Sequence, residues 1–177
     1  MANEGTKTLK SREFLFYTED LAMAGLPEAF PRPERRVMWT ILQMYYGTPD
    51  LHFELQPQGA RKQVELGLHF EADVETNEAR AVSVARYAPE ILGELGPEWE
   101  MEEWTASWRR LHRVFAYERL TAGLGREVAE QMTLLLVTLQ PLIEEAEAIR
   151  PVEAPASAPA PSRGSRARYR GRAGARR

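Results

Sequence analysis

Cysteine is absent from the 177 residues of this chain, so it has no disulfide, no thiolate zinc site and no cysteine nucleophile. An apolar run of the roughly 18 residues that a membrane-spanning helix needs is also missing. The first residues, MANEGTKTLKSRE, lack the apolar segment of a secretory signal. We therefore expect a cytoplasmic protein that does not enter a membrane.

Recognisable catalytic motifs are missing as well. The sequence contains no Gly-rich phosphate loop, no serine nucleophile elbow and no paired-histidine metal motif. Its three histidines, His52, His69 and His112, are dispersed along the chain. The sequence therefore assigns no catalytic residue, no metal ligand and no cofactor, and it leaves open whether the protein is an enzyme.

Charge is distributed unevenly along the chain. All 26 acidic residues lie at or before Glu153, whereas seven of the 23 basic residues lie in the last fifteen positions. Residues 1–162 therefore carry 16 basic against 26 acidic side chains, a net charge of −10, and residues 163–177 carry +7. The formal net charge of −3 conceals an acidic body joined to a basic end.

Composition predicts three parts. Residues 1–10 are polar and aperiodic, so we expect them to be disordered, and residues 11–150 are expected to form a single acidic domain. Residues 151–177 begin with PVEAPASAPAP, a proline- and alanine-rich linker that spans up to about 34 Å at 3.1 Å per residue. The arginine-rich end that follows has too little apolar surface to fold by itself.

The basic end is typical of segments that bind RNA or single-stranded DNA. Arginines neutralise phosphates with release of counterions, and guanidinium and tyrosine planes stack on bases. An alternative is that the tail only keeps the chain soluble or folds back on the acidic body. The predicted nucleic-acid contacts are Arg163, Arg166, Arg168, Tyr169, Arg170, Arg172, Arg176 and Arg177.

Two helices are expected at the start of the domain. Ser11 is suited to begin a helix that runs to about Ala24 and is ended by Gly25. Pro33 predicts the first turn of a second helix, and Gly47 predicts its end. The buried face of this second helix would be Val37, Met38, Ile41, Leu42 and Tyr45.

The next segment has the period of β-strands. Apolar and polar residues alternate in 51–56 and again in 64–73, and the two stretches are separated by Pro57-Gln58-Gly59. This pattern predicts an antiparallel hairpin with one apolar and one polar face. The tetrapeptide Leu-His-Phe-Glu occurs at 51–54 and 68–71, and we attribute it to shared strand chemistry.

A helix and a second hairpin are predicted next. Asn77 is expected to cap a helix that runs to Leu95 and is kinked or broken near Pro89. Residues 98–102 and 110–119 would form the second pair of strands. The spacing of Trp104, Trp108, Leu111 and Phe115 also fits a helix, so residues 108–119 are assigned to a strand with a helix as the alternative.

The last predicted element is a long helix with a broad apolar stripe, interrupted at Pro141. A stripe this broad favours burial within the domain, although the spacing also fits a homodimer seam through residues 126–149. The stripe has an alternating spacing of four and three residues: Val128, Met132, Leu135, Leu139, Leu142, Ala146 and Ile149.

Together these elements predict an α+β domain in which helices pack on an antiparallel sheet of about four strands, formed by two hairpins. The second half of the pattern repeats strand, strand and a helix that contains proline. We therefore advance the hypothesis of a ββα-ββα duplication over residues 51–96 and 98–149.

The polar face of the first hairpin is a candidate site. Carboxylates and imidazoles at two-residue spacing suit a divalent metal or an acid and base pair. We favour the simpler interpretation that this face is exposed and that its charges prevent strand association. The residues concerned are His52, Glu54, Glu65, His69, Glu71 and Asp73.

Trp104 and Trp108 are the predicted partner-binding residues. Large aromatic side chains anchor protein partners, and the acidic residues around them favour a basic partner. The leading functional hypothesis is a non-catalytic cytoplasmic binding or adaptor protein, with an acidic interaction domain and a tail that binds RNA or single-stranded DNA. The alternatives are a small enzyme or ligand-binding domain that uses the acidic face or a tryptophan-lined pocket, and an acidic chaperone-like protein.

Overall fold

The computed structural model describes residues 4–149, so the linker, the tail and their predicted nucleic-acid contacts lie outside the described residues. The described part begins with a short 3-10 helix, Glu4–Thr6, within the segment predicted to be disordered. The remaining elements are α1 (Ser11–Gly25), β1 (Glu34–Met38), β2 (Ile41–Tyr45), β3 (Leu51–Gln58), β4 (Gln63–Phe70), α2 (Val74–Ala85), α3 (Ala88–Leu95), β5 (Glu100–Glu103), β6 (Arg109–Ala116) and α4 (Ala122–Ile149).

The α+β class is confirmed, but within residues 4–149 the sheet has six strands instead of about four. Their order is β1-β2-β3-β4-β6-β5, and every neighbouring pair is antiparallel. The two predicted hairpins lie side by side, because β4 pairs with β6 along all eight residues of each strand. The ββα duplication stays a hypothesis.

The second predicted helix is wrong, because its residues form the β1–β2 hairpin. Val37 pairs with Leu42 and Met38 with Ile41 across a two-residue turn. An apolar spacing of one and three residues fits both a helix face and a tight hairpin folded at Trp39. Trp39 occupies the first turn position with φ +54°, a conformation usually left to glycine or asparagine, so the sequence carries no turn signal there.

The helix predicted after the hairpin begins three residues before the expected cap. Asp73 is the N-cap, and its Oδ1 accepts a hydrogen bond from the Thr76 amide at 2.9 Å. The predicted break is confirmed, since α2 ends at Ala85 and α3 starts at Ala88 with Pro89 in its first turn. The strand assignment for the second hairpin is confirmed by β5 and β6.

Helix α4 supplies the centre of the core. It is one continuous helix that contains Pro141, and the stripe residues Val128, Met132, Leu135 and Leu139 are fully buried. They pack in one cluster with residues of α1, α2, α3 and one face of the sheet. Burial within the domain is therefore confirmed for these four residues. Among the described residues, no helix is long and apolar enough to cross a membrane.

Candidate functional site

The two faces of strand β4 have opposite chemistry. Val64, Leu66, Leu68 and Phe70 belong to the hydrophobic core, so the alternate residues of the strand point to the other side of the sheet. Pairing in register brings polar residues of the neighbouring strands onto that side. We call this set the polar cluster: Gln43, His52, Glu54, Glu65, His69, Glu71, Glu102, Arg110 and His112.

Most of the polar cluster is buried, whereas we expected this side of the sheet to be exposed. His52, Glu54, Glu65 and His69 are each at most 5% exposed, so the interpretation of this face as a solvated surface is wrong for them. Only Asp73 of the predicted face lies apart, because it caps α2. Buried charges are costly unless they are paired, and the contacts within the cluster are therefore informative.

Arg110 is the cation that pairs most closely with the cluster carboxylates. Its Nη1 donates to Glu65 Oε1 at 2.5 Å, and its Nε donates to Glu102 Oε1 at 2.7 Å. Burial raises the pKa of Glu65, but contacts with His69 and Arg110 outweigh burial and lower that pKa to about 2. Glu65 is therefore a carboxylate at neutral pH.

His69 lies between two carboxylates. Its Nε2 is 3.4 Å from Glu65 Oε1 and its Nδ1 is 3.6 Å from Glu71 Oε1. Both distances exceed those of ordinary hydrogen bonds, and neither ring nitrogen has a hydrogen-bond partner among the described residues. Burial lowers the pKa of His69, but the two carboxylates outweigh burial and raise it to about 9.

His52 lies directly opposite His69, and the two rings stack with centroids 5.5 Å apart. The Nδ1–H of His52 donates to the carbonyl of Pro49 at 2.8 Å, which leaves the lone pair on Nε2. Gln43 Nε2 donates to His52 Nε2 at 3.0 Å and to Glu54 Oε2 at 3.1 Å.

His112 differs from the other two histidines in its surroundings. Its Nε2 lies 3.1 Å from Glu102 Oε1 at the β5 side of the sheet. Burial and the positive charge of Arg110 lower the pKa of His112. His112 is therefore a neutral imidazole at neutral pH, and it lies at the margin of the cluster.

The predicted partner-binding residues Trp104 and Trp108 lie over one side of the polar cluster. The Trp104 ring meets His69 edge-on with centroids 5.3 Å apart, and the Arg110 guanidinium lies 5.2 Å from the centre of the Trp104 ring. The ring centroids of Trp108 and Trp104 are 5.6 Å apart. Trp104 is 41% exposed. Trp104 therefore shields His69 and Arg110 while keeping an outer surface free for a partner.

Asn77 holds the loop that carries both tryptophans, a role that the sequence did not indicate. Its side chain accepts from the Ala72 amide and donates to the carbonyls of Ala72 and Ser107, with distances of 2.8–2.9 Å. The predicted cap is thus a fully buried clamp between α2 and the β5–β6 loop. An Asn four residues after an N-cap Asp gives no sequence signal for such a long-range bond.

Gly67 provides close approach of strands β4 and β6 beneath the polar cluster. A Cβ at this position would lie 2.7 Å from the Leu111 carbonyl oxygen and 2.8 Å from the His112 Cβ. A side chain therefore cannot be accommodated without separating the strands.

Chemically, this arrangement suits the binding of a cation. It concentrates carboxylates and imidazoles in a site shielded from water. No family model, curated protein or solved structure significantly matches the chain, and comparison with known proteins therefore adds nothing on function.

Proposed function

We propose that the protein is a non-catalytic cytoplasmic adaptor whose acidic domain binds a basic, arginine-rich protein segment. The segment would bind at the tryptophan rim, which we define as Trp104, Trp108 and the exposed carboxylates of Glu100 and Glu103. The observation that carries this proposal is the placement of a half-exposed Trp104 beside acidic side chains at the edge of the sheet.

The rim offers two kinds of contact to guanidinium groups. Indole faces attract cations, and Trp104 already accepts Arg110 on one ring face. The Glu103 carboxylate lies 3.4 Å from Arg109. Because the Glu103 side chain is 76% exposed, the carboxylate remains available to a second arginine. Strand β5 is the sheet edge, and an extended segment can pair with its free backbone groups.

The tail of the same chain is one segment with the required chemistry. The last turns of α4 lie beside the end of β4, because Ile143, Ala146 and Phe70 line one small cavity. Phe70 pairs with Arg109, which pairs with Glu103, so the rim is two strands or about 10 Å further along the sheet. An eleven-residue linker that extends to about 34 Å is long enough to cover this separation.

The tail also supports binding of RNA or single-stranded DNA as the second activity of the adaptor. Seven arginines and one tyrosine in fifteen residues carry this part of the proposal. The two activities compete, since a tail that rests on the rim has fewer arginines available for phosphate. A homodimer through α4 is the other partner prediction, but four residues of its seam are already used in the core.

The rim is tested with a fluorescein-labelled peptide of residues 163–177 and protein truncated after residue 150. Among residues 4–149, the buried core residues all lie between Phe14 and Ile143, so the truncated chain retains the core that the structure describes. We expect fluorescence anisotropy to show saturable binding that weakens by about tenfold in a Trp104→Ala/Trp108→Ala variant. Trp39→Ala is the matched control, because Trp39 is 90% exposed at the opposite edge of the sheet.

A second variant distinguishes loss of binding from loss of folding. Glu100→Gln/Glu103→Gln changes only exposed rim carboxylates. We expect this variant to bind the peptide more weakly, and we expect its binding to depend less on salt concentration. Its circular dichroism spectrum should be unchanged. Equal binding by the wild type and both rim variants would show that the peptide binds elsewhere on the acidic body.

A further inference from the structure

We propose that the polar cluster holds one divalent transition-metal ion, with His52, His69 and Glu71 as protein ligands. This site lies beneath the tryptophan rim and does not depend on the adaptor function proposed above. Burial of His52 and His69 favours a metal site over a solvated face at this hairpin.

The ligand atoms already lie close to one another. One ligand atom from each of His52, His69 and Glu71 is within 4.8 Å of the other two. The separation between His69 Nδ1 and Glu71 Oε1 is 3.6 Å. Two ligands of one tetrahedral ion with bonds of 2.0–2.2 Å are about 3.4 Å apart, so this pair needs only a small adjustment.

Backbone interactions hold the ligands in place. The hydrogen bond from Nδ1 to the Pro49 carbonyl fixes the His52 ring and directs Nε2 into the polar cluster. A metal ion there would replace the contacts of Nε2 with Gln43 Nε2 at 3.0 Å and Glu54 Oε2 at 3.3 Å. Glu71 is fixed by its own amide, which donates to the Asp50 carbonyl at 2.8 Å. The two histidines are directly opposed in the β3–β4 register.

His69 gives the independent indication of a ligand. It is fully buried, yet neither of its ring nitrogens has a hydrogen-bond partner among the described residues. A buried imidazole without such bonds is costly, and ligation to a cation would satisfy one nitrogen while Glu65 accepts from the other.

The charge of the polar cluster also favours a cation. Its four carboxylates are Glu54, Glu65, Glu71 and Glu102, and its fixed cation is Arg110. The four carboxylates and the one guanidinium sum to −3, and a bound divalent ion would bring this charge to −1. Repulsion among buried carboxylates therefore decreases when the metal binds.

Two imidazoles and one carboxylate are the donors that zinc, cobalt, nickel and iron(II) accept, whereas calcium and magnesium prefer oxygen alone. The side of the site nearest to solvent is Glu71, whose side chain is 20% exposed. Trp104 covers the His69 side, with its ring centroid 5.3 Å from that of His69.

The test uses the untagged full-length chain and cobalt(II), whose absorption reports coordination by nitrogen and oxygen. We expect one cobalt(II) per chain in titration calorimetry, displacement by zinc(II), and no response to magnesium(II). Glu71→Gln and His69→Gln should each weaken cobalt(II) binding at least tenfold, whereas His112→Gln should leave it unchanged. Glu71 is the more informative position, since its partial exposure makes loss of folding a weak explanation.

Tryptophan fluorescence locates the ion independently. Cobalt(II) at the proposed site should quench Trp104, and Trp104→Phe should abolish most of the quenching while retaining the binding stoichiometry. The proposal is overturned if the folded chain takes up no cobalt(II), or if Glu71→Gln and His112→Gln bind it as well as the wild type. Because these variants leave the rim carboxylates Glu100 and Glu103 in place, failure here is distinct from failure of peptide binding.

Discussion

Single polar side chains decide where the tryptophan rim lies. Asn77 satisfies three backbone groups that would otherwise be buried without partners, and it joins the start of α2 to the loop of Trp104 and Trp108. In the polar cluster, Gln43 likewise satisfies more than one group, because its amide nitrogen donates to both His52 and Glu54. Burial of Asn77 and Gln43 is tolerated because particular neighbouring atoms satisfy their side chains, whereas both ring nitrogens of His69 have no hydrogen-bond partner among the described residues.

Asn77→Ala removes the clamp, so the Ala72 amide and the Ala72 and Ser107 carbonyls lose their hydrogen bonds to this side chain. We expect a loss of about 1–3 kcal/mol in the free energy of unfolding, measured by urea denaturation. Release of the loop should also shift the fluorescence of Trp104 to longer wavelength before global unfolding. Ser83→Ala is the control in the same helix, because the Ser83 hydroxyl makes one exposed bond to the Ala79 carbonyl. An equal effect of the two substitutions would contradict the clamp.

Pairs of elements determine which chemistry is brought together. Strand β4 is central to both the core and the polar cluster, and its pairing with β6 places Arg110 against His69. That pairing requires the close approach at Gly67. The β1–β2 hairpin extends the sheet by two strands on the other side of β3, and it contributes Gln43 to the polar cluster.

Gly67→Ala should separate β4 from β6, because the new Cβ would lie 2.7 Å from a backbone oxygen. We expect destabilisation of about 1–3 kcal/mol in thermal or urea unfolding, typical of overpacking. Gly93→Ala is the matched control: its Cβ has no neighbour within 4 Å and it lies inside α3, so we expect stabilisation of about 0.4–1 kcal/mol. A stabilising effect of Gly67→Ala would contradict the close approach of β4 and β6 at this position.

At the scale of the whole molecule, the dominant feature is the charge difference between body and tail. The body carries −10 and the last fifteen residues +7, and the linker is long enough for the two to meet. Self-association of this kind would make nucleic-acid affinity depend on both the tail and the rim.

A labelled single-stranded oligonucleotide measures this competition. We expect an isolated peptide of residues 151–177 to bind the oligonucleotide more tightly than the full chain, and a chain truncated after residue 150 not to bind. The logarithm of the affinity should fall against the logarithm of salt concentration with a slope of roughly −3 to −5, from about 0.7 per phosphate contact. Binding of the full and truncated chains with equal affinity would exclude the tail as the nucleic-acid site.

The sequence by itself determined the elements whose period has one interpretation. Strict alternation in residues 51–56 and 64–73 predicted β3 and β4, and the stripe from Val128 to Leu139 predicted the buried face of α4. Pro89 marked the junction between α2 and α3, since proline breaks a helix for local steric reasons. Composition alone separated the acidic domain from the arginine-rich tail.

Tertiary structure decided the rest, because the remaining patterns are ambiguous until distant residues meet. The spacing of Val37, Met38, Ile41 and Leu42 fits a helix as well as a hairpin, and pairing with β3 selects the hairpin. Alternation likewise identifies a polar face, but only packing by Trp104 and the six-stranded sheet shows that it is buried. Burial depends on which surfaces the chain brings together, a non-local property that no short stretch of sequence contains.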